Sequence, residues 1–195
     1  MKLKQITLAA IVAAGALAGS VQAASILGTG SVGLLGVTAA PAGSISLGTT
    51  FSFGVSAWSS GTDNFSAIPI GTALVTSPIT ATTGSAVHFT SIFGNFNGLV
   101  DGPVSATGPT TNRVVSLYAL GTFNPLGSLS AFTSGPMSLT FSATQTGGPT
   151  GAISASYTIS SPPAPRTQVP EPGALALVGV ALAGLGMMRR KSVKA

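Results

Sequence analysis

Hydrophobic and polar residues alternate in three segments of the chain. The longest segment is residues 45–57, where the odd positions are mostly Ile, Leu, Phe and Val and the even positions are Ser, Thr and Gly. The same period of two recurs in residues 137–144 and 152–159. Because successive side chains of a strand point to opposite faces, each segment predicts a β-strand with one buried face. Weaker strand candidates are residues 31–38, 72–76, 86–93 and 113–120.

Residues 145–151, Gln-Thr-Gly-Gly-Pro-Thr-Gly, separate the last two alternating segments. This density of Gly and Pro predicts a loop, so we expect the two strands to form an antiparallel hairpin. Short strands between Gly, Pro and Asn turns, with no helical period among them, are typical of all-β folds. The sequence therefore predicts an antiparallel β-sandwich over residues 24–160.

Residues 1–23 have the pattern of a secretory signal peptide. Lys2 and Lys4 precede an apolar run of small residues that ends in Val-Gln-Ala. Small residues at the last and third-last positions suit signal peptidase, so we expect cleavage after Ala23, with Ala24 as the competing site. The chain is therefore expected to leave the cytoplasm through the general secretion machinery.

A proline-rich stretch, residues 161–168, follows the predicted domain and predicts an extended spacer. A short motif comes next: Val169, Pro170, Glu171 and Pro172. Residues 173–188 are uncharged and mostly apolar, which predicts a single transmembrane helix. The positive-inside tendency places the basic cluster after this helix in the cytoplasm, and that cluster is Arg189, Arg190 and Lys191.

The motif, the apolar span and the basic cluster, in this order, resemble the PEP-CTERM sorting signal of exported proteins in Gram-negative bacteria. The resemblance covers residues 169–195. It implies that an exosortase, a membrane cysteine protease-transpeptidase, processes the chain while the chain is anchored in the inner membrane with its domain in the periplasm. It also implies delivery to the cell surface or the medium, and association with extracellular polysaccharide and biofilm. The alternative is an ordinary C-terminal membrane anchor behind a proline linker.

The net charge of +5 belongs to the two ends of the chain. Between residues 24 and 168 the charged residues sum to zero, and they are Asp63, Asp101, Arg113 and Arg166. A domain that binds nucleic acid needs a basic patch to neutralise phosphates. The sequence therefore excludes nucleic acid as a partner of the predicted domain.

Residues suited to catalysis or metal binding are scarce between residues 24 and 168. This segment has no cysteine and no glutamate, and it holds one histidine, His88, and two aspartates, Asp63 and Asp101. Both aspartates lie in turn sequences, and neither has a second carboxylate nearby for Ca²⁺. A catalytic triad would need His88 beside an aspartate, and a glycosidase pair would need Asp63 beside Asp101. We expect no enzyme, no metal site and no cofactor, with His88 on a partly exposed strand face.

Trp58 follows the strongest predicted strand and precedes Ser-Ser-Gly. An exposed ring at a strand end can stack on a sugar, so Trp58 is a candidate glycan contact; the same position also suits a ring that seals the core. The first interpretation predicts a carbohydrate-binding or adhesive module. The second leaves an exported, non-enzymatic surface or extracellular-matrix protein, which the sorting signal and the uncharged domain favour. Its expected partners are the exosortase, signal peptidase and exopolysaccharide.

Overall fold

The computed structural model describes residues 24–164. The predicted signal peptide, residues 1–23, and the predicted transmembrane span, residues 173–188, lie outside the described residues. The strands of the described part are β1 (Gly28–Leu35), β2 (Thr38–Ala40), β3 (Thr50–Ser52), β4 (Val55–Gly61), β5 (Ala73–Thr76), β6 (Ile79–Thr80), β7 (Ala86–Ser91), β8 (Gly94–Val100), β9 (Ser105–Thr107), β10 (Asn112–Pro125), β11 (Gly135–Thr146) and β12 (Ala152–Ser161). Two short 3₁₀ turns, Asp63–Ala67 and Gly127–Leu129, lie between strands.

Eight strands form a closed antiparallel barrel in the order β11-β12-β1-β4-β5-β7-β8-β10, and β10 pairs again with β11. The seam between β10 and β11 is the longest, with twelve paired positions from Asn112–Thr146 to Phe123–Gly135. β9 pairs with β10 next to β8, while β2, β3 and β6 form a separate three-stranded sheet. The all-β antiparallel prediction is confirmed.

The predicted sandwich is wrong, because the main sheet closes on itself. β10 has β8 and β9 on one side and β11 on the other, so each of the eight barrel strands has a neighbour on both sides. A sandwich and a small barrel share the same alternation of inward and outward residues. The alternation therefore predicted strands correctly and could not distinguish two packed sheets from one closed sheet.

Aromatic rings fill the barrel. Trp58 packs edge-on against Phe93 with ring centroids 5.1 Å apart, and Phe89 stacks on Phe96 at 5.7 Å and on Tyr157 at 6.0 Å. Gly30 on β1 makes room for the indole of Trp58, since a Cβ at Gly30 would overlap its six-membered ring. The core thus packs the large side chain of Trp58 against Gly30, a position where no side chain fits.

The long alternating segment, residues 45–57, does not form one strand. It divides into β3, in the small sheet, and β4, in the barrel, with a bend at Gly54. The bend reverses the phase, so Val55 is 54 % exposed while Ser56 and Trp58 are buried. The buried face of β4 is therefore opposite to the predicted one.

The hairpin predicted around residues 145–151 is confirmed, because β11 ends at Thr146 and β12 begins at Ala152. Gln145, buried at the end of β11, binds the segment that leads into β3. Its Oε1 accepts a hydrogen bond from the Ile45 N–H at 2.9 Å, and its Nε2 donates to the carbonyls of Gly43 at 3.0 Å and Pro149 at 3.1 Å. The Gln145 side chain therefore holds both the segment before β3 and the β11–β12 loop against the barrel.

The two ends of the barrel differ in what they hold. Gly28 pairs with Ser161, so the first residue of β1 and the last residue of β12 lie at one end, which we call the terminal end. Gly61, the last residue of β4, pairs with Gly30 and therefore also lies at this end. The opposite end, which we call the distal end, carries the β11–β12 hairpin loop and the segment that Gln145 binds.

Candidate functional site

The exit of the chain from the barrel, Ser161–Ala164, is held by hydrogen bonds. β12 ends at Ser161, whose buried hydroxyl donates to the Ile26 carbonyl at 3.0 Å. The hydroxyl of Ser160 donates to the carbonyl of Pro162 at 2.9 Å. The chain therefore leaves its last strand along the barrel and not directly away from it.

Ala164 is fixed to the outer wall by two side chains from neighbouring strands. Its N–H donates to Oγ of Ser138 on β11 at 2.9 Å, and its carbonyl accepts a hydrogen bond from the hydroxyl of Tyr118 on β10 at 3.0 Å. We call residues 162–164 the strap. Residues 161–168 were predicted to form an extended spacer after the domain, but the first four of these residues lie against it. The strap residues had no signal in the sequence, since proline predicts extension and not what an extended segment contacts.

The entry of the chain lies at the same end of the barrel. The carbonyl of Ala24 accepts a hydrogen bond from the Thr133 N–H at 3.1 Å, and Ile26 is buried. Ala23, the residue before the expected cleavage site, lies outside the described residues. Ala24 is the first described residue, and cleavage after Ala23 leaves its hydrogen bond with Thr133 intact.

Trp58 is not exposed, and its proposed role as a glycan contact is wrong. The side chain is 1 % exposed and lies between Phe65 and Phe93. The phase reversal at Gly54 turns it inward. Its Nε1 has no hydrogen-bond partner, which is a cost that the burial of a large aromatic surface offsets. Trp58 is a core residue, which confirms the other interpretation of its position, a ring that seals the core.

His88 and the two aspartates are dispersed. His88 lies on β7, with Nδ1 2.8 Å from Oδ1 of Asn97 on the neighbouring strand β8. Asp63 begins the 3₁₀ turn after β4 at the terminal end, with a φ of 49°. Asp101 follows β8, whose last residue pairs with Ala119 midway along β10, and its N–H donates to the Tyr118 carbonyl at 2.8 Å. The two aspartates follow β4 and β8, which run in opposite directions and are separated by β5 and β7, so the topology does not bring them together as a carboxylate pair.

No group of three or more His, Cys, Asp or Glu side chains that could hold a metal ion occurs within residues 24–164. The geometry of the described part therefore offers one arrangement tied to a sequence motif, which is the strap that leads to Val169. The motif itself, Val169, Pro170, Glu171 and Pro172, and the basic cluster, Arg189, Arg190 and Lys191, lie outside the described residues.

The family model of the PEP-CTERM protein-sorting motif matches residues 168–191. The chain carries this sorting motif. The predicted resemblance is thereby confirmed, and the match includes every residue of the predicted motif and basic cluster. No curated protein and no solved structure matches the chain.

A PEP-CTERM motif marks an exported protein that an exosortase processes, and export with transit through a membrane-anchored form is consistent with it. Within residues 24–164, neither helical turn combines the length and the apolar character that a membrane span requires. Ala164 is the last described residue, and the matched residues 168–191 follow it along the chain.

Proposed function

We propose that the chain is a non-enzymatic protein of the cell surface or extracellular matrix, which an exosortase processes and which associates with neutral exopolysaccharide in biofilm. The match of residues 168–191 to the sorting motif carries this proposal. Signal peptidase acts on the N-terminal end, and the inner membrane holds the precursor until the exosortase cuts it.

The composition of the barrel supports a matrix role. Residues 24–164 contain three charged residues, Asp63, Asp101 and Arg113, and no lysine. Outward positions of neighbouring strands pair hydroxyl with hydroxyl, as in Thr140–Thr158 and Ser142–Ser156. A surface of this kind meets a neutral polymer without the cost of desolvating charges. The closed barrel has no open strand edge, but β9 and the outer strands of the small sheet, β2 and β6, lack the lysines that commonly discourage association of strand edges.

The geometry gives less support to a carbohydrate-binding module. The sequence offered Trp58 as its stacking ring, and that ring lies in the core. A polymer contact would then depend on hydroxyl and backbone groups, which bind with low affinity at each site. This favours many weak contacts in a matrix over one saturable sugar site.

The test replaces Pro170, Glu171 and Pro172 with alanine in the full chain, expressed in a host that contains an exosortase. We expect the parent to appear outside the inner membrane as a form whose intact mass lacks the C-terminal segment. The variant is expected to remain in the membrane fraction at its uncut mass. Alanines at Ser192, Val193 and Lys194, which lie beyond the matched residues, provide the control and leave processing unchanged. Equal processing of both variants and the parent contradicts the proposal.

A further inference from the structure

Four residues, 165–168, separate the strap, which the barrel wall holds, from the sorting motif. Five Cα steps lead from Ala164 to Val169 and span at most about 18 Å. If the strap were released, the free chain would begin after Ser161 and gain three residues, or about 10 Å. Release of Ala164 therefore lengthens the chain that a protease can bind as an extended segment.

Ser138 shows that the strap covers the wall closely. It lies between Met137 and Leu139, which point into the core, so alternation places Ser138 on the outer face. An outward residue of a barrel is ordinarily exposed, yet Ser138 is 1 % exposed. Its cover is the strap, because its Oγ accepts the hydrogen bond from Ala164 N–H.

We propose that Ser138 and Tyr118 are positioning residues for the sorting motif. They clamp Ala164 between them and leave only the four residues 165–168 between the clamped residue and the motif, so that processing waits for the strap to open. A protease binds its substrate as an extended segment, and a segment within a few residues of a docked one is accessible only in the opened state. The exosortase part of this proposal rests on the proposed function, whereas the clamp itself does not.

Trypsin provides a test that needs no exosortase. Arg166 lies two residues beyond Ala164, and Arg113 lies within β10, partly buried and bonded to the carbonyl of Ile45. In the purified full chain, Tyr118→Phe and Ser138→Ala should each raise the rate of cleavage at Arg166 about fivefold, the factor expected from loss of one hydrogen bond. Cleavage at Arg113 reports unfolding of the barrel and should keep its rate. Ser142→Ala, four residues along β11, is the matched control.

Unchanged cleavage at Arg166 in both variants overturns the clamp. A parallel rise at Arg113 also overturns it, because the two residues would then act through overall stability. Either result is independent of whether the exosortase processes the chain.

The second experiment measures processing in the host. Tyr118→Phe is expected to speed conversion of precursor to product several-fold. An insertion of Gly-Ser-Gly between Ala164 and Pro165, with the clamp intact, should give a similar increase, because it supplies the same extra length. The two changes together should give no more than either alone. Additive effects, or slower processing in Tyr118→Phe, contradict a positioning role. If the parent itself is not processed, the proposed function fails, and the trypsin result still decides the clamp.

Discussion

Residues 24–164 and residues 168–191 differ in the kind of sequence signal that defines them. The barrel is defined by contacts between distant residues, such as Gly28 with Ser161 and Ile45 with Gln145. The sorting motif is defined by adjacent residues in a fixed order, and its family model matches without any structure. A protease that binds an extended segment recognises a linear motif, whereas a binding surface needs residues that folding brings together. The sorting motif of the chain is therefore recognisable from its sequence alone, whereas the role of its domain is not.

The largest expected effect tests whether the motif acts alone. Residues 165–195, moved to the end of an unrelated exported β domain, should cause a protein that was never cut to be processed in a host with an exosortase. Intact mass of the secreted product measures this. The same fusion with Pro170, Glu171 and Pro172 replaced by alanine is the control. If processing requires this barrel, the motif does not act independently of the domain, and the contrast between the two regions is wrong.

The second prediction concerns the aromatic core of the barrel, whose packing a single added carbon atom should disturb. Gly30→Ala places a Cβ against the ring of Trp58, in a core where rigid aromatic neighbours leave no room. Overpacking of this kind should lower the free energy of unfolding by about 3 kcal/mol or more. Urea denaturation of the processed protein measures the change.

Gly33→Ala is the matched control for this change, because it lies on the same strand and its added Cβ would meet nothing closer than the Ala57 carbonyl at 4.0 Å. It should leave stability unchanged or raise it by up to about 1 kcal/mol. Adding Trp58→Leu to Gly30→Ala should recover part of the loss by removing the ring. If Gly30→Ala and Gly33→Ala behave alike, the packing of the indole against β1 is not what we describe.

These residues also explain where sequence analysis succeeds and fails. Alternation located the strands around residues 113–120, 137–144 and 152–159, because a half-buried strand imposes its period on the sequence. It failed at Gly54, where a single bend reversed the buried face of β4, so that Val55 is exposed and Ser56 is buried. No predicted strand covers β8, whose Gly and Asn residues are typical of turns. Closure of the sheet and the clamp on Ala164 depend on contacts between distant segments, which have no local signature.

A third prediction addresses the distal end. Gln145→Ala removes the partner of the Ile45 N–H and of the Gly43 and Pro149 carbonyls. Loss of hydrogen bonds at a buried amide should cost about 2 kcal/mol of unfolding free energy. Hydrogen exchange should also become faster at Ile45, while the strap at the other end of the barrel is unaffected. Ser142→Ala on the outer face of β11 is the control. An exchange rate at Ile45 equal to that of the parent would show that Gln145 does not hold this segment.

The smallest expected effect is a loss of folding stability above pH 10 that depends on Tyr157. Burial raises the pKa of Tyr157 well above its usual value of about 10, while a hydrogen bond to Thr76 acts in the opposite direction. Above pH 10 the unfolded chain loses the tyrosine proton and the folded chain keeps it, so stability falls by up to about 1.4 kcal/mol per pH unit. Below pH 10 this contribution is fully present. Tyr157→Phe should be less stable than the parent by about 1 kcal/mol at pH 7, since the Thr76 hydrogen bond is lost.

Because phenylalanine does not ionise, that deficit should shrink above pH 10 and reverse near pH 11. Urea denaturation of parent and variant between pH 7 and pH 11.5 measures the crossing. The sorting motif contains no tyrosine, so the same change should leave processing at neutral pH as it was. A constant difference between the two proteins at all pH values would mean that the hydroxyl of Tyr157 reaches water in the folded barrel. The barrel would then be more open than its aromatic core implies.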